Sequence, residues 1–120
     1  MTPSKLIVSF TSIVALFIAA CGSAALPVEK LTDAKSTVRA AQEAGAQSTP
    51  QAALHLKMAN DELASVQKAI DDNDGDRARL LLNQAQADAD LSLALARGSA
   101  DKQAAQAAQA KIVDLSKQAQ

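Results

Sequence analysis

The chain has 120 residues, 12 basic and 13 acidic side chains, and a formal net charge of −1. That length holds one domain at most, and so even a charge balance belongs neither to a nucleic-acid binder nor to a polybasic membrane-surface segment. Phe10 and Phe17 are the only aromatic residues and Cys21 is the only cysteine, which excludes aromatic base stacking along the chain and an internal disulfide framework.

Met1 to Lys5 forms a short segment with one positive charge, and Leu6 to Ala20 is an uncharged apolar run. The run has the length of a signal core and falls short of the roughly 20 apolar residues a membrane span needs. It ends in Ile18-Ala19-Ala20-Cys21. An aliphatic residue, then two small ones, then cysteine resembles the lipobox of bacterial lipoprotein precursors. The resemblance implies that residues 1–20 are a signal peptide, that Cys21 becomes the first residue, and that its thiol carries diacylglycerol and its amine commonly an acyl chain. Two other readings stay open. An ordinary secretory signal would be cut after Ser23-Ala24-Ala25 and lose Cys21, and an uncleaved anchor helix would have to manage with this short run. Gly22-Ser23, with no aspartate after the cysteine, implies the periplasmic face of the outer membrane, with the outer face of the inner membrane as the alternative. The first expected partner is therefore the membrane, reached through Cys21.

Past residue 20 the chain carries 11 basic and 13 acidic groups and no Phe, Tyr or Trp. Alanine and glutamine dominate, with leucine as the main large apolar residue. Alanine is the best helix former, with Leu, Gln, Lys and Arg close behind, while the β-branched and aromatic residues that build strands are scarce. The expected fold is all-α with a thin core, because alanine buries little surface against the entropy of ordering the backbone.

Residues 21–26 read as a tether. Pro27 suits a first helical turn and Glu29 complements the helix dipole. Leu31, Ala34, Val38 and Ala41 then mark one face of a first helix, which runs from about Pro27 to Ala44 and is closed by Gly45. Thr49-Pro50 reads as the start of a second helix, with Thr49 as its side-chain cap. Its stripe, Ala52, Leu56, Ala59, Leu63, Val66 and Ile70, alternates four and three residues apart as far as about Asp71.

Asp72-Asn73-Asp74-Gly75 is a turn, and Asp74 or Asp76 is placed to cap the third helix. That helix carries Ala78, Leu82, Ala85, Ala89 and Leu93 on one face, with Leu80, Leu81 and Leu91 spread around it. Gly98-Ser99 interrupts the pattern before Ala105, Ala108, Ile112, Leu115 and Ala119 resume a stripe. The expected architecture is an antiparallel three-helix bundle over residues 27–97. Residues 98–120 form a C-terminal helical extension that continues the third helix as a coiled-coil-like tail; the alternative is a fold-back at Gly98 as a fourth helix. About 40 residues of helix span about 60 Å.

Several of these features together resemble the DUF4398 family, a domain of unknown function found in bacterial envelope lipoproteins. They are Ala44-Gly45-Ala46, Thr49-Pro50, Ala59 with Leu63, Asn73-Asp74, Arg77-Ala78-Arg79, Gln84-Ala85 and Asp88-Ala89. The resemblance runs from about Pro27 to Ala96. Gly75 stands where an aromatic often follows the family's Gly-Asp turn. Members often continue into a peptidoglycan-binding domain resembling outer-membrane protein A, for which this chain leaves no room, so wall binding is not implied.

Specific chemistry is hard to find. Asp71 to Asp76 invites a calcium loop, but with Gly75 at the sixth position the first ligand would be Ile70 and the bidentate glutamate would be Leu81. An acidic turn with a helix cap is the better reading. His55 lies off the apolar stripe, near Gln51, Asn60 and Glu62 along the helix; without cysteine or carboxylates at ligand spacing it reads as a surface residue and makes no zinc site. No serine stands in a catalytic constellation and no glycine-rich loop follows a strand. Neither an enzyme, nor a cofactor, nor a metal, nor nucleic acid is expected. The favoured function is a lipid-anchored structural or adaptor protein facing the periplasm, with the tail stripe Ala105, Ala108, Ile112 and Leu115 as a surface for self-association or an envelope partner. The alternative is a periplasmic helical binding module or chaperone-like protein, for which exposed aromatics and methionines are lacking.

Overall fold

The computed structural model of the chain describes residues 28–119. The lipobox Ile18, Ala19, Ala20, the anchor Cys21 and the tether before Val28 lie outside them. The described residues form three helices: α1 (Val28–Glu43), α2 (Pro50–Asp71) and α3 (Gly75–Gln118).

The connections follow from local chemistry. After α1, Gly45 adopts φ +81°, which glycine reaches without steric cost. Its N–H donates to the Gln42 carbonyl at 3.0 Å. A single 3₁₀ turn, Ala46–Ser48, then buries Ala46 completely before Pro50 opens α2. Thr49 occupies the cap position in an extended conformation, but its side chain makes no capping hydrogen bond. The expected Thr49 cap is absent, and Pro50, which lacks an N–H, leaves one fewer unpaired donor at the helix start.

The end of α2 is a Schellman closure: the Asp74 N–H donates to the Ala69 carbonyl at 2.8 Å and the Asn73 N–H to that of Ile70 at 3.0 Å. Asn73 takes φ +58°, a conformation that asparagine tolerates better than most residues. Of the two candidate caps for α3, Asp74 serves, its carboxylate accepting from the Arg77 N–H at 3.0 Å. The helix then continues through Gly98 without a break for 44 residues, about 66 Å. The fold-back alternative is excluded, and the extension continues the third helix.

α2 runs antiparallel to both α1 and α3, and α1 lies parallel to α3. One cluster gathers Ala34, Val66 and Leu82, with Leu63 and Ile70 against it. A second joins Val38, Ala41 and Ala46 to Ala52, Leu56 and the α3 residues Ala89 and Ala96. Among the described residues ten of the fourteen buried apolar ones are alanine, so the helices hold together by close approach more than by large side chains. Two assignments shift. Ala69 is buried where Ile70 was expected, and Ile70 and Leu63 are half-buried. Leu93 is likewise half-buried, because α3 turns Ser92 inward instead. Adjacent helical residues stand about 100° apart, so the packing of the neighbouring helices, and not the four-three alternation alone, decides which of Ala69 and Ile70, and which of Ser92 and Leu93, is covered.

Candidate interaction surface

Between α2 and α3 the packed face is polar in two places. Ser92 is fully buried, and its hydroxyl donates to the Ala52 carbonyl at 2.8 Å. One turn away, His55 Nδ1 lies 2.7 Å from Asp88 Oδ1, with 25% and 16% of the two side chains exposed. An ionised carboxylate only accepts, so Nδ1 carries the proton. The expectation of a surface histidine is therefore corrected: His55 is off the apolar stripe of its own helix, yet it points along the α2–α3 seam, where Asp88 covers it.

Glu62 completes this cluster. Its Oε2 is buried without a hydrogen-bond partner. Burial holds its carboxyl above the ordinary value, and the negative charges of Asp88 and Asp61 push the same way. A neutral Glu62 can donate to Asp88, whereas an ionised one faces it as a second acceptor. Among the described residues no group of three or more His, Cys, Asp and Glu is arranged to hold a metal ion. The cluster is thus a polar clasp between two helices.

An open groove of about 390 Å³ runs between α1 and α3, floored by Leu82 and rimmed by Lys30, Asp33, Gln86 and Asp90. Its mixed charges single out no ligand. No helix among the described residues is long and apolar enough to cross a membrane.

The larger unpartnered surface is on α3. Its buried residues, Ala78, Leu82, Ala85, Ala89, Ser92 and Ala96, face α1 and α2. As far as Gln103 the helix passes over the α1–α2 connection, where Ser99 and Gln103 line a small groove with Gly45 and Thr49. From Asp101 to Ala119 every residue is exposed. The sequence-derived stripe lies here: Ala105, Ala108, Ile112 and Leu115 share one side of the helix, with Ile112 and Leu115 67% and 55% exposed.

The model of the DUF4398 family, described as a domain of unknown function, matches residues 29–110. The chain belongs to the DUF4398 family. The DUF4398 match takes in all three helices and continues past Gly98 to Ala110, so it includes Ala105 and Ala108 of the tail stripe. No curated protein and no solved structure matches the chain.

Proposed function

We propose that this DUF4398 chain is a small lipid-anchored envelope protein with a structural or adaptor role facing the periplasm. Cys21 carries the lipid, and the end of α3 is the element offered to a partner. The observation that carries the second half of this reading is the exposure of every residue from Asp101 to Ala119 on a helix rooted in the bundle. An isolated alanine-rich helix gains little from standing alone, so a stripe with Ile112 and Leu115 on it is best accounted for by contact with another helix. The first half rests on the lipobox Ile18-Ala19-Ala20-Cys21. Three acyl chains would hold the protein permanently where one gives marginal binding. No catalytic step enters this reading.

Mass spectrometry of the protein isolated from its own envelope tests the anchor. Diacylglyceryl-modified Cys21 at the N-terminus is expected, and Cys21→Ser should yield only unlipidated chain. An unmodified thiol, or an N-terminus at another residue, overturns the anchor. Membrane fractionation is expected to place the protein with the outer membrane, and recovery with the inner membrane overturns that location.

A further inference from the structure

The exposed stripe of the tail does not continue the core face of α3. Ala94 and Gly98 lie two residues either side of buried Ala96, about 160° around the helix from it. From them a strict seven-residue repeat runs along the back of the helix. Gly98, Ala105, Ile112 and Ala119 occupy one position of the repeat, and Ala94, Asp101, Ala108 and Leu115 the other, all of them exposed. This is the spacing with which one helix packs along another in a left-handed pair.

Gly98 borders an open groove that Thr49 and Gln51, at the start of α2, line from the other side. It is in the middle of a helix, it lacks the positive φ that favours glycine, and a Cβ there would meet nothing within 4 Å. Glycine is the poorest non-proline helix former. What a missing side chain provides at this position is room for something outside the bundle.

We propose that the back of α3, from Ala94 to Ala119, pairs antiparallel with the same stretch of a second copy of this chain. Charge selects both the occupant and the direction. In a parallel pair Asp101 meets Asp101 of the second copy and Arg97 flanks its Lys102, so like charges meet twice over. In an antiparallel pair with Ala105 opposite Ala108 of the second copy, Asp101 falls opposite Ile112 of the second copy, with the second copy's Lys111 beside it to take up its charge. Symmetry repeats that contact. Leu115 of the second copy lands on Gly98, Ala94 faces Ala119, and the alanine layers at the centre allow close approach. The flanking contacts, Arg97 with Gln118 and Lys102 with Gln109, bring no like charges together. This pairing deepens the proposed role of the tail by naming its partner, and it does not depend on lipidation of Cys21.

The test is oxidative crosslinking in intact cells that co-express two differently tagged full chains, Ala94→Cys in one and Ala119→Cys in the other. The unsubstituted chain, oxidised alongside, reports any bond through Cys21. Antiparallel pairing gives a mixed disulfide between the two tags. Lys111→Glu and Asp101→Lys, each added alone to both chains, should lower its yield about fivefold or more, since two attractions become two repulsions. The double exchange Asp101→Lys with Lys111→Asp should restore it. Bonds between like-tagged chains only, no bond at all, or a double exchange as poor as the singles overturns the pairing. If the pairing fails in this way while loss of the residues after Gln103 still abolishes crosslinks to other envelope proteins, the proposed function stands without it.

Discussion

Ser92 binds α3 to the first turn of α2: its hydroxyl is fully buried and donates to the Ala52 carbonyl across a 2.8 Å bond. In a core made mostly of alanine this is a specific tie that fixes the register of the two helices. Ser92→Ala should lower unfolding free energy by about 1 kcal/mol, the usual net worth of one hydrogen bond. Ser92→Leu should cost more, about 1–3 kcal/mol, because the site has no room for the added carbons. Urea unfolding followed by circular dichroism measures both, and a neutral Ser92→Leu would mean the interface is looser than described.

The half-burial of Leu63 ranks the large core residues. Leu82 is 1% exposed and touches Ala34 and Val66, so Leu82→Ala should cost about 2–5 kcal/mol. Leu63→Ala should cost less than Leu82→Ala, since part of its side chain already meets water. An equal or larger loss at Leu63 would contradict the burial.

Much of this was legible in the sequence because it is local. α2 begins at Pro50 and ends at Asp71 as its punctuation implies, and Asp74 caps α3. The continuation through Gly98 was legible as one of two outcomes, because one glycine is a tolerable cost inside a helix with good formers on both sides. What sequence reading missed is pairing between helices. His55 looks like a surface residue on the periodicity of α2 alone, and nothing local places Asp88 against it. Ser92 had a usable signal: it stands three residues after Ala89 and four before Ala96, inside the core stripe, where its polarity hid it. The Ala46–Ser48 turn had none, since alanine, glutamine and serine serve a helix as readily.

Glu62 predicts a pH dependence with a definite sign. Burial first, and then the charge of Asp88, raise its carboxyl above the ordinary value in the folded state. The folded chain therefore holds this proton more tightly than the unfolded one. The stability it contributes is full below the ordinary carboxylate pKa and declines as pH rises through the raised folded value. Glu62→Gln should stabilise the protein at pH 7 by about 1 kcal/mol, with the advantage shrinking towards zero near pH 4. Thermal melts across that range check it; a difference that does not change with pH would contradict the account.

Gly45 and Gly98 separate conformational freedom from space. Neither has a neighbour within 4 Å of an added Cβ, but only Gly45 has a positive φ. Gly45→Ala should destabilise by about 1–2 kcal/mol from backbone strain alone. Gly98→Ala should raise the stability of the bundle by up to about 1 kcal/mol. Melting temperatures that move in the same direction for both would refute this assignment.

The central claim is that the bundle is complete without the end of α3 and that this end exists for contact. Ending the chain after Gln103, the last α3 residue beside the α1–α2 connection, tests it directly. The account predicts cooperative unfolding with stability within about 0.5 kcal/mol of the full chain, as for changes at exposed sites, together with loss of the tail-dependent crosslinks in intact cells. A shortened chain that unfolds, or that keeps every crosslink of the full one, would contradict it.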